Sequence, residues 1–211
     1  MSEYKADVAA YLNSLVPERP REVLEMEAYA QEHRFPIIGP AAGQMCYLMA
    51  SMVGARRVFE LGSGYGYSTW WFARAVQDSG GGEVFHVVWH EDLSQKARVH
   101  LEKLGVGGLV KYRVGEAVAA LEEADGPFDL IFNDIDKEGY PAALPVIKRK
   151  LRSGGVLIID NMIWGGDVYD PEKNDAATVG IRDFTAAITS DPDWIVSLMP
   201  IRDGLIVARK R

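Results

Sequence analysis

The strongest constraint on the fold is an alternation that begins at Arg57, where short runs of β-branched and aromatic residues alternate with segments of helical periodicity. The strand-like runs are 58–61, 84–89, 110–114, 128–133 and 156–159, and the helical segments are 67–77, 93–104, 117–123, 140–151 and 176–189. Strands that alternate with crossover helices form a parallel sheet covered on both faces. The pattern therefore predicts a doubly wound α/β domain.

Both ends of the chain add to this core. Two β-prone runs, 194–200 and 205–208, flank the turn sequence ArgAspGly and predict an antiparallel hairpin at one edge of the sheet. Three helical segments precede the alternation, at about 3–16, 21–33 and 41–53. We expect a helical extension over residues 1–54, part of the same domain, and a seven-stranded, mostly parallel sheet domain over residues 55–211.

Charge and cysteine content restrict the function. The 211 residues include 30 acidic and 23 basic side chains, which gives a net charge of −7. The chain therefore lacks the broad positive surface of a protein that binds duplex nucleic acid. Cys46 is the only cysteine, which excludes an intramolecular disulfide and a cysteine-based zinc site. The polar start and the lack of a long apolar run predict a cytoplasmic protein that does not enter a membrane.

A glycine-rich loop follows the first predicted strand. Its sequence is GluLeuGlySerGlyTyrGlyTyrSer (60–68), with glycines at 62, 64 and 66. Glycines at a strand-to-helix turn let backbone N–H groups approach a ligand, although they also serve close packing. Tyr67 stands where a dinucleotide fingerprint needs Gly or Ala, and no Gly-Lys-Ser/Thr follows, so a nicotinamide dehydrogenase and a P-loop are disfavoured. Glu60 suits a cationic ligand better than a pyrophosphate.

Polar residues follow two of the buried strands. Asp134 and Asp160 each end a strand at the carboxyl edge of the predicted sheet, where ligands of this architecture bind, and Asn161 adds an amide oxygen. Two carboxylates and one carbonyl oxygen suit Mg²⁺, a hard cation that prefers oxygen ligands. Alternatively, the aspartates cap the following helix and form turns. Any one aspartate alone favours the cap, whereas both clusters together favour the metal.

Three motifs together resemble a known family. They are the glycine-rich loop 60–68, AsnAspIleAspLys (133–137) and AspAsnMetIleTrpGlyGly (160–166). They resemble class I S-adenosylmethionine-dependent methyltransferases, in particular the cation-dependent O-methyltransferases of the catechol and caffeoyl-CoA type. The likeness covers nearly the whole chain, including the terminal hairpin. It implies a Rossmann-like methyltransferase fold and a homodimer formed through the N-terminal helices.

The resemblance also implies roles for individual residues. The metal ligands would be Asp134, Asp160 and Asn161, and the catalytic residues would be Lys137, as proton acceptor, and Asp134. The residues expected to line the S-adenosylmethionine pocket are Ile38, Glu60, Gly62, Ser63, Gly64, Ser68, Glu116, Ala117, Asp134 and Asp136. A divalent cation that binds two adjacent acceptor oxygens makes a hydroxyl easier to deprotonate, so an oxyanion is available near neutral pH.

One position departs from the family pattern. The second strand normally ends in an acidic residue that holds the ribose hydroxyls, and Val88 stands at that position here. Each lost charge-assisted hydrogen bond is worth about 1.5–3 kcal/mol. Three interpretations follow: weaker cofactor binding, compensation by His90 or Glu91, or a binding protein that has lost catalysis on the same fold.

Two acceptors remain open at this point. The first is a small molecule with adjacent hydroxyls, such as a catechol, and Trp164 on the loop after Asp160 is the candidate for contact with it. The second is a hydroxylated wobble uridine in tRNA, because the N-terminal pattern ArgPro…GluAlaTyrAlaGlnGluHis…ProIle resembles bacterial members that methylate 5-hydroxyuridine. The basic end ArgLysArg (209–211) is compatible with RNA but is not diagnostic.

Overall fold

The computed structural model describes the backbone of residues 2–211 and the side chains from residue 7 onward. The helices are α1 (Ser2–Ser14), α2 (Arg21–His33), α3 (Gly39–Met52), α4 (Tyr67–Asp78), α5 (Glu91–Lys103), α6 (Ala117–Glu123), α7 (Tyr140–Lys150) and α8 (Ala176–Ser190). The strands are β1 (Arg57–Leu61), β2 (Glu83–Val88), β3 (Val110–Val114), β4 (Phe128–Asn133), β5 (Leu151–Ile159), β6 (Trp194–Met199) and β7 (Leu205–Lys210). This α/β order confirms the predicted fold class.

The seven strands form one sheet in the order β3-β2-β1-β4-β5-β7-β6. The first five strands run parallel, whereas β7 pairs antiparallel with both β5 and β6, as the hairpin signal predicted. The chain leaves β1 toward β2 on one side and returns to β4 on the other. In open α/β sheets, such a switch point opens a crevice at the carboxyl ends of the strands.

The predicted boundary of β5 was wrong. The strand begins at Leu151, which pairs with Phe128, and not at residue 156. Gly154 and Gly155 interrupt the apolar pattern, and the register between β4 and β5 shifts between Phe128 and Leu130. A glycine pair beside an irregular register gives no strand signal in the sequence, and Gly154 has a φ of +74°, so the backbone bulges there before pairing with β4 resumes at Val156.

Side chains that alternate along the strands build a core on each face of the sheet. Val58 of β1 packs into the layer formed with α2 to α5, whereas Phe59 and Leu61 pack into the layer formed with α6 to α8. This two-sided burial is the reason why the parallel strands read as continuous apolar runs. Within residues 2–211, no helix is both long and apolar enough to cross a membrane.

The N-terminal helices are fastened to the glycine-rich loop. The Tyr65 hydroxyl donates to the carbonyl of Met26 (2.8 Å), and the Tyr67 hydroxyl donates to the Glu27 carboxylate (2.8 Å). Arg19 in turn donates to Glu27 at 2.7 Å. Helix α2 therefore holds the loop that leads from β1 into α4.

Candidate active site

A cavity of about 570 Å³ opens at the carboxyl ends of β1, β2 and β4. Its walls are formed by Pro36, Gly62, Val87, Val88, Trp89, His90, Leu93, Gly115, Ala117, Asp134, Ile135, Asp136, Lys137, Glu138, Asn161, Trp164, Ala177 and Arg202. A narrow side pocket of about 30 Å³ shares Pro36, Gly62 and Asp134 with it. The side pocket is also bordered by Ile38, Ser63, Gly64 and Ser68, four of the residues predicted to contact a cofactor.

The glycine-rich loop is held between two strands. Gly62 has a φ of +86°, and a Cβ at this position would lie 2.4 Å from the carbonyl oxygen of Asp134. The Ser63 N–H donates to the carbonyl of Val87 (3.0 Å), and the Ser63 hydroxyl accepts from the Val87 N–H (2.9 Å). Only glycine combines this φ with so close an approach. Packing therefore requires glycine at position 62, which also borders the cavity.

Glu60 is a fully buried carboxyl group at the foot of this loop. Burial raises its pKa to about 8, although the nearby hydroxyls of Ser68, Thr69 and Ser63 act to lower it. Neither carboxylate oxygen has a hydrogen-bond partner of good geometry. A positive charge nearby would hold this buried carboxylate in its ionised form, although Glu60 itself is not among the residues that border either cavity.

Asp134 extends the ladder between β4 and β1, because its N–H donates to the carbonyl of Leu61 at 2.8 Å. Its Oδ1 accepts from Lys137 Nζ at 2.6 Å, and the same ammonium donates to the carbonyl of Ile135 at 3.1 Å. The Lys137 side chain is 11% exposed, and its Nζ lies 5.9 Å from the centre of the Trp164 ring. The structure therefore brings the two residues predicted to be catalytic into direct contact.

Asp160 extends the ladder in the same way on the next strand, since its N–H donates to the carbonyl of Asn133 at 3.2 Å. Its carboxylate Oδ1 accepts from the Asn161 N–H (2.7 Å), and the Tyr140 hydroxyl donates to its backbone carbonyl (3.0 Å). Burial and the negative charge of Asp134 raise the pKa of Asp160 to about 6. The two aspartates are thus close enough to repel each other.

The donor set fits a hard divalent cation. Asp134, Asp160 and Asn161 would offer only oxygen ligands, and a cation beside the two carboxylates would offset the negative charge of Asp134 that raises the pKa of Asp160. The Asn161 side-chain N–H donates a hydrogen bond to Asp203 Oδ2 at 3.2 Å. The side-chain carbonyl oxygen of Asn161 is therefore the atom that would bind a metal ion. Among the described residues, no group of three His, Cys, Asp or Glu side chains forms a metal cluster, so the third protein ligand would be this amide.

The wall at the end of β2 is apolar. Val88 faces the cavity beside Trp89 and His90. Of the two residues expected to compensate, Glu91 accepts instead from the side-chain amide of Gln95 on the outside of α5. His90 is therefore the polar side chain at this end that borders the cavity.

The remaining predicted residues divide into two groups. Asp136, Ala117 and Trp164 lie on the cavity wall. The Glu116 carboxylate instead accepts from the Val118 and Ala119 N–H groups and caps α6, while Gly115 and Ala117 form the wall beside it. The cap satisfies two backbone donors at the start of the helix, which explains where this side chain points.

Two side chains of the site were not predicted. Arg202 Nη1 donates to Asp160 Oδ2 at 2.7 Å, and Asp203 Oδ1 accepts from the Gly165 N–H at 2.7 Å. Both belong to the ArgAspGly turn of the terminal hairpin, which the sequence indicates only as a turn. No spacing rule links this turn to Asp160, 42 positions earlier.

Comparisons with known proteins agree with this geometry. A sequence model of the O-methyltransferase family matches residues 13–211. A catechol O-methyltransferase from Mycobacterium tuberculosis is 37% identical over 180 residues, covering 83% of this chain and 80% of the relative. A catechol O-methyltransferase from Niastella koreensis is 32% identical, with 81% and 80% covered.

Solved structures give the same result. An O-methyltransferase from Bacillus cereus in complex with SAH superposes with a TM-score of 0.87 at 30% identity, covering 97% of each chain. The O-methyltransferase TomG from Streptomyces achromogenes, in complex with SAM, superposes with a TM-score of 0.86 at 27% identity, covering 97% of this chain and 96% of TomG. The chain belongs to the O-methyltransferase family, which confirms the resemblance seen in its motifs.

Proposed function

We propose that this protein transfers the methyl group of S-adenosylmethionine to a hydroxyl of a small, catechol-like acceptor held beside a divalent cation. The observation that carries the proposal is the pair of carboxylates, Asp134 and Asp160, at the ends of adjacent strands next to the glycine-rich loop. SAM and SAH are bound by the structural relatives named above, and two sequence relatives are catechol O-methyltransferases.

The methyl donor carries a positive charge on its amino group and another on its sulfur. Glu60 is the buried acid of the glycine-rich loop, and Asp134 lies where the side pocket meets the main cavity. We assign these acids to the cationic part of the donor, with Gly62 and Ser63 offering a close backbone approach. Val88, Trp89 and Ala117 form an apolar wall that suits a flat adenine ring better than a phosphate.

The acceptor would lie on the other side of Asp134. Asp134, Asp160 and Asn161 would hold the divalent cation, which, when bound, supplies the positive charge that favours loss of a hydroxyl proton. Lys137, as a neutral amine, is assigned as the group that takes this proton and becomes an ammonium, and Trp164 forms the facing wall. The acceptor oxygen then attacks the methyl carbon, the carbon–sulfur bond breaks, and SAH leaves with the electron pair on sulfur.

Methyl transfer to 3,4-dihydroxybenzoate tests the proposal. With S-adenosylmethionine and Mg²⁺, we expect a monomethylated product by mass spectrometry, and its loss after EDTA treatment. Asp160→Asn should abolish turnover. Lys137→Ala should lower kcat by roughly 100-fold or more, because a positioned proton acceptor contributes at least about that factor. Asp183→Asn, at an exposed position of α8, is the matched control and should leave kcat unchanged.

Other results would lead to different functions. Transfer to tRNA carrying 5-hydroxyuridine, with none to the small catechol, would replace the acceptor and keep the chemistry. Such activity should fall steeply with salt, because phosphate contacts release counterions. Transfer that persists in EDTA would refute the metal centre. If neither acceptor is methylated and S-adenosylmethionine does not bind, the protein would be a binding protein on this fold.

A further inference from the structure

Arg202 is presented to the site from a rigid turn. Its φ of +54° lies in the left-handed region, which non-glycine residues adopt only when their surroundings hold them there. The turn is bonded to the loop after β5 at three points: Ile163 N–H to the Asp203 carbonyl (2.8 Å), Met162 N–H to the Gly204 carbonyl (3.0 Å) and Gly165 N–H to Asp203 Oδ1 (2.7 Å). The backbone of Arg202 is therefore fixed relative to Asp160.

The Arg202 guanidinium is paired with a carboxylate oxygen that would otherwise be available to bind a cation at this site. Arg202 Nη1 lies 2.7 Å from Asp160 Oδ2, and the Asp160 side chain is 1% exposed. Asp160 Oδ1 already accepts from the Asn161 N–H. Both carboxylate oxygens are thus engaged, one of them by a positive charge that an arginine does not lose near neutral pH.

The side chain has room to leave. Arg202 is one-third exposed and borders both the main cavity and a second cavity of about 230 Å³. That second cavity is bordered by Leu12, Ile38, Ala41 and Ile201. A long, flexible side chain that borders two cavities can move from one cavity to the other by rotation about its outer torsions. Repulsion between the guanidinium and a divalent cation near the same carboxylate would drive the exchange.

We propose that Arg202 is an internal counter-ion of Asp160 that a divalent cation must displace, so that this arginine sets the metal concentration at which the site fills. The inference rests on the metal centre of the proposed function and goes beyond it, because it names a residue of this chain that opposes metal binding. It predicts that removing a positive charge 42 positions away in sequence strengthens metal binding at Asp160.

Calorimetric titration with Mn²⁺, without methyl donor or acceptor, measures this effect directly. Arg202→Gln should lower the Kd for Mn²⁺ at least tenfold. Arg202→Gly should lower the Kd to a similar extent. Because glycine adopts the φ of this turn without strain, this variant shows whether a result with Arg202→Gln reflects a folding defect. Arg202→Lys should stay near the wild type, because it keeps the positive charge.

Arg209→Gln is the matched control, since it removes the same charge from an exposed position of the same hairpin, and its Kd should stay within twofold of the wild type. An unchanged or higher Kd in both Arg202→Gln and Arg202→Gly would overturn the inference while leaving the metal centre intact. Absence of Mn²⁺ binding in every variant would overturn the metal centre and the inference together.

Discussion

Glu60 departs furthest from the behaviour of an ordinary surface carboxylate. It is fully buried, its cross-strand neighbour on β2 is the buried His86, and its pKa is raised to about 8. Burial also lowers the pKa of His86 to about 3. At neutral pH, both groups are therefore mostly uncharged. A cationic ligand is what would make the ionised form of Glu60 favourable.

This environment predicts a pH dependence of stability. Because the folded pKa of Glu60 is raised, its contribution to the free energy of unfolding is complete below about pH 4.5 and is lost as the pH rises to about 8. Glu60→Gln lacks this titration. As the pH rises through that window, its free energy of unfolding should increase relative to that of the wild type by up to about 1.4 kcal/mol per pH unit.

Urea unfolding of both proteins at pH 5, 6, 7 and 8 measures the difference. His86 is present in both, so its opposite dependence at acid pH cancels in the comparison. A difference in unfolding free energy that does not change with pH would mean that Glu60 titrates normally in the folded protein.

Individual site residues were predictable where a strand carries them to a known edge. Asp134 and Asp160 follow apolar runs, and parallel strands bring their carboxyl ends together, so their proximity follows from the sequence. Arg202 and Asp203 lie in the turn of the terminal hairpin, where either residue has an ordinary structural role. Their contacts with Asp160 and Gly165 depend on how that hairpin packs, which no local pattern encodes.

At the scale of elements, the alternation of strands and helices was enough to predict the sheet and its helical layers, because each element buries an apolar face. The predicted boundaries of elements were wrong where an element continues through polar or glycine residues. α5 begins at Glu91 and not at residue 93, since two acidic residues occupy its first turn and give no apolar signal. Acidic side chains are favourable there because they face the positive end of the helix dipole.

The N-terminal helices lead to a prediction about assembly. Large apolar side chains are exposed on α1 and α3, including Tyr11 (64%), Leu48 (46%) and Met52 (73%). Exposed apolar surface of this kind favours burial against a partner, and the family resemblance implies a homodimer. Light scattering after size-exclusion chromatography should give twice the chain mass of 23.3 kDa.

The double variant Leu48→Glu/Met52→Glu should be monomeric with an unchanged circular dichroism spectrum. Ile195→Glu, which places the same charge at an exposed apolar position of β6, is the control and should stay dimeric. A wild-type monomer at micromolar concentration would refute dimerisation through these helices.

At the scale of the whole molecule, the sheet order places the glycine-rich loop, the aspartate pair and the terminal hairpin around one crevice. Membership of the O-methyltransferase family accounts for this arrangement. It does not account for Val88, where the expected acid is missing and the wall is apolar. The central claim is therefore that the crevice still binds the methyl donor without that acid.

Calorimetric titration of S-adenosylmethionine into the wild type and into Val88→Glu tests this claim most directly. We expect one-to-one binding by the wild type with a micromolar Kd. We expect roughly 10- to 100-fold tighter binding by the variant, the equivalent of about 1.5–3 kcal/mol for a restored charge-assisted hydrogen bond. Absence of binding by the wild type, with or without Mg²⁺, would contradict the assignment of this crevice to S-adenosylmethionine.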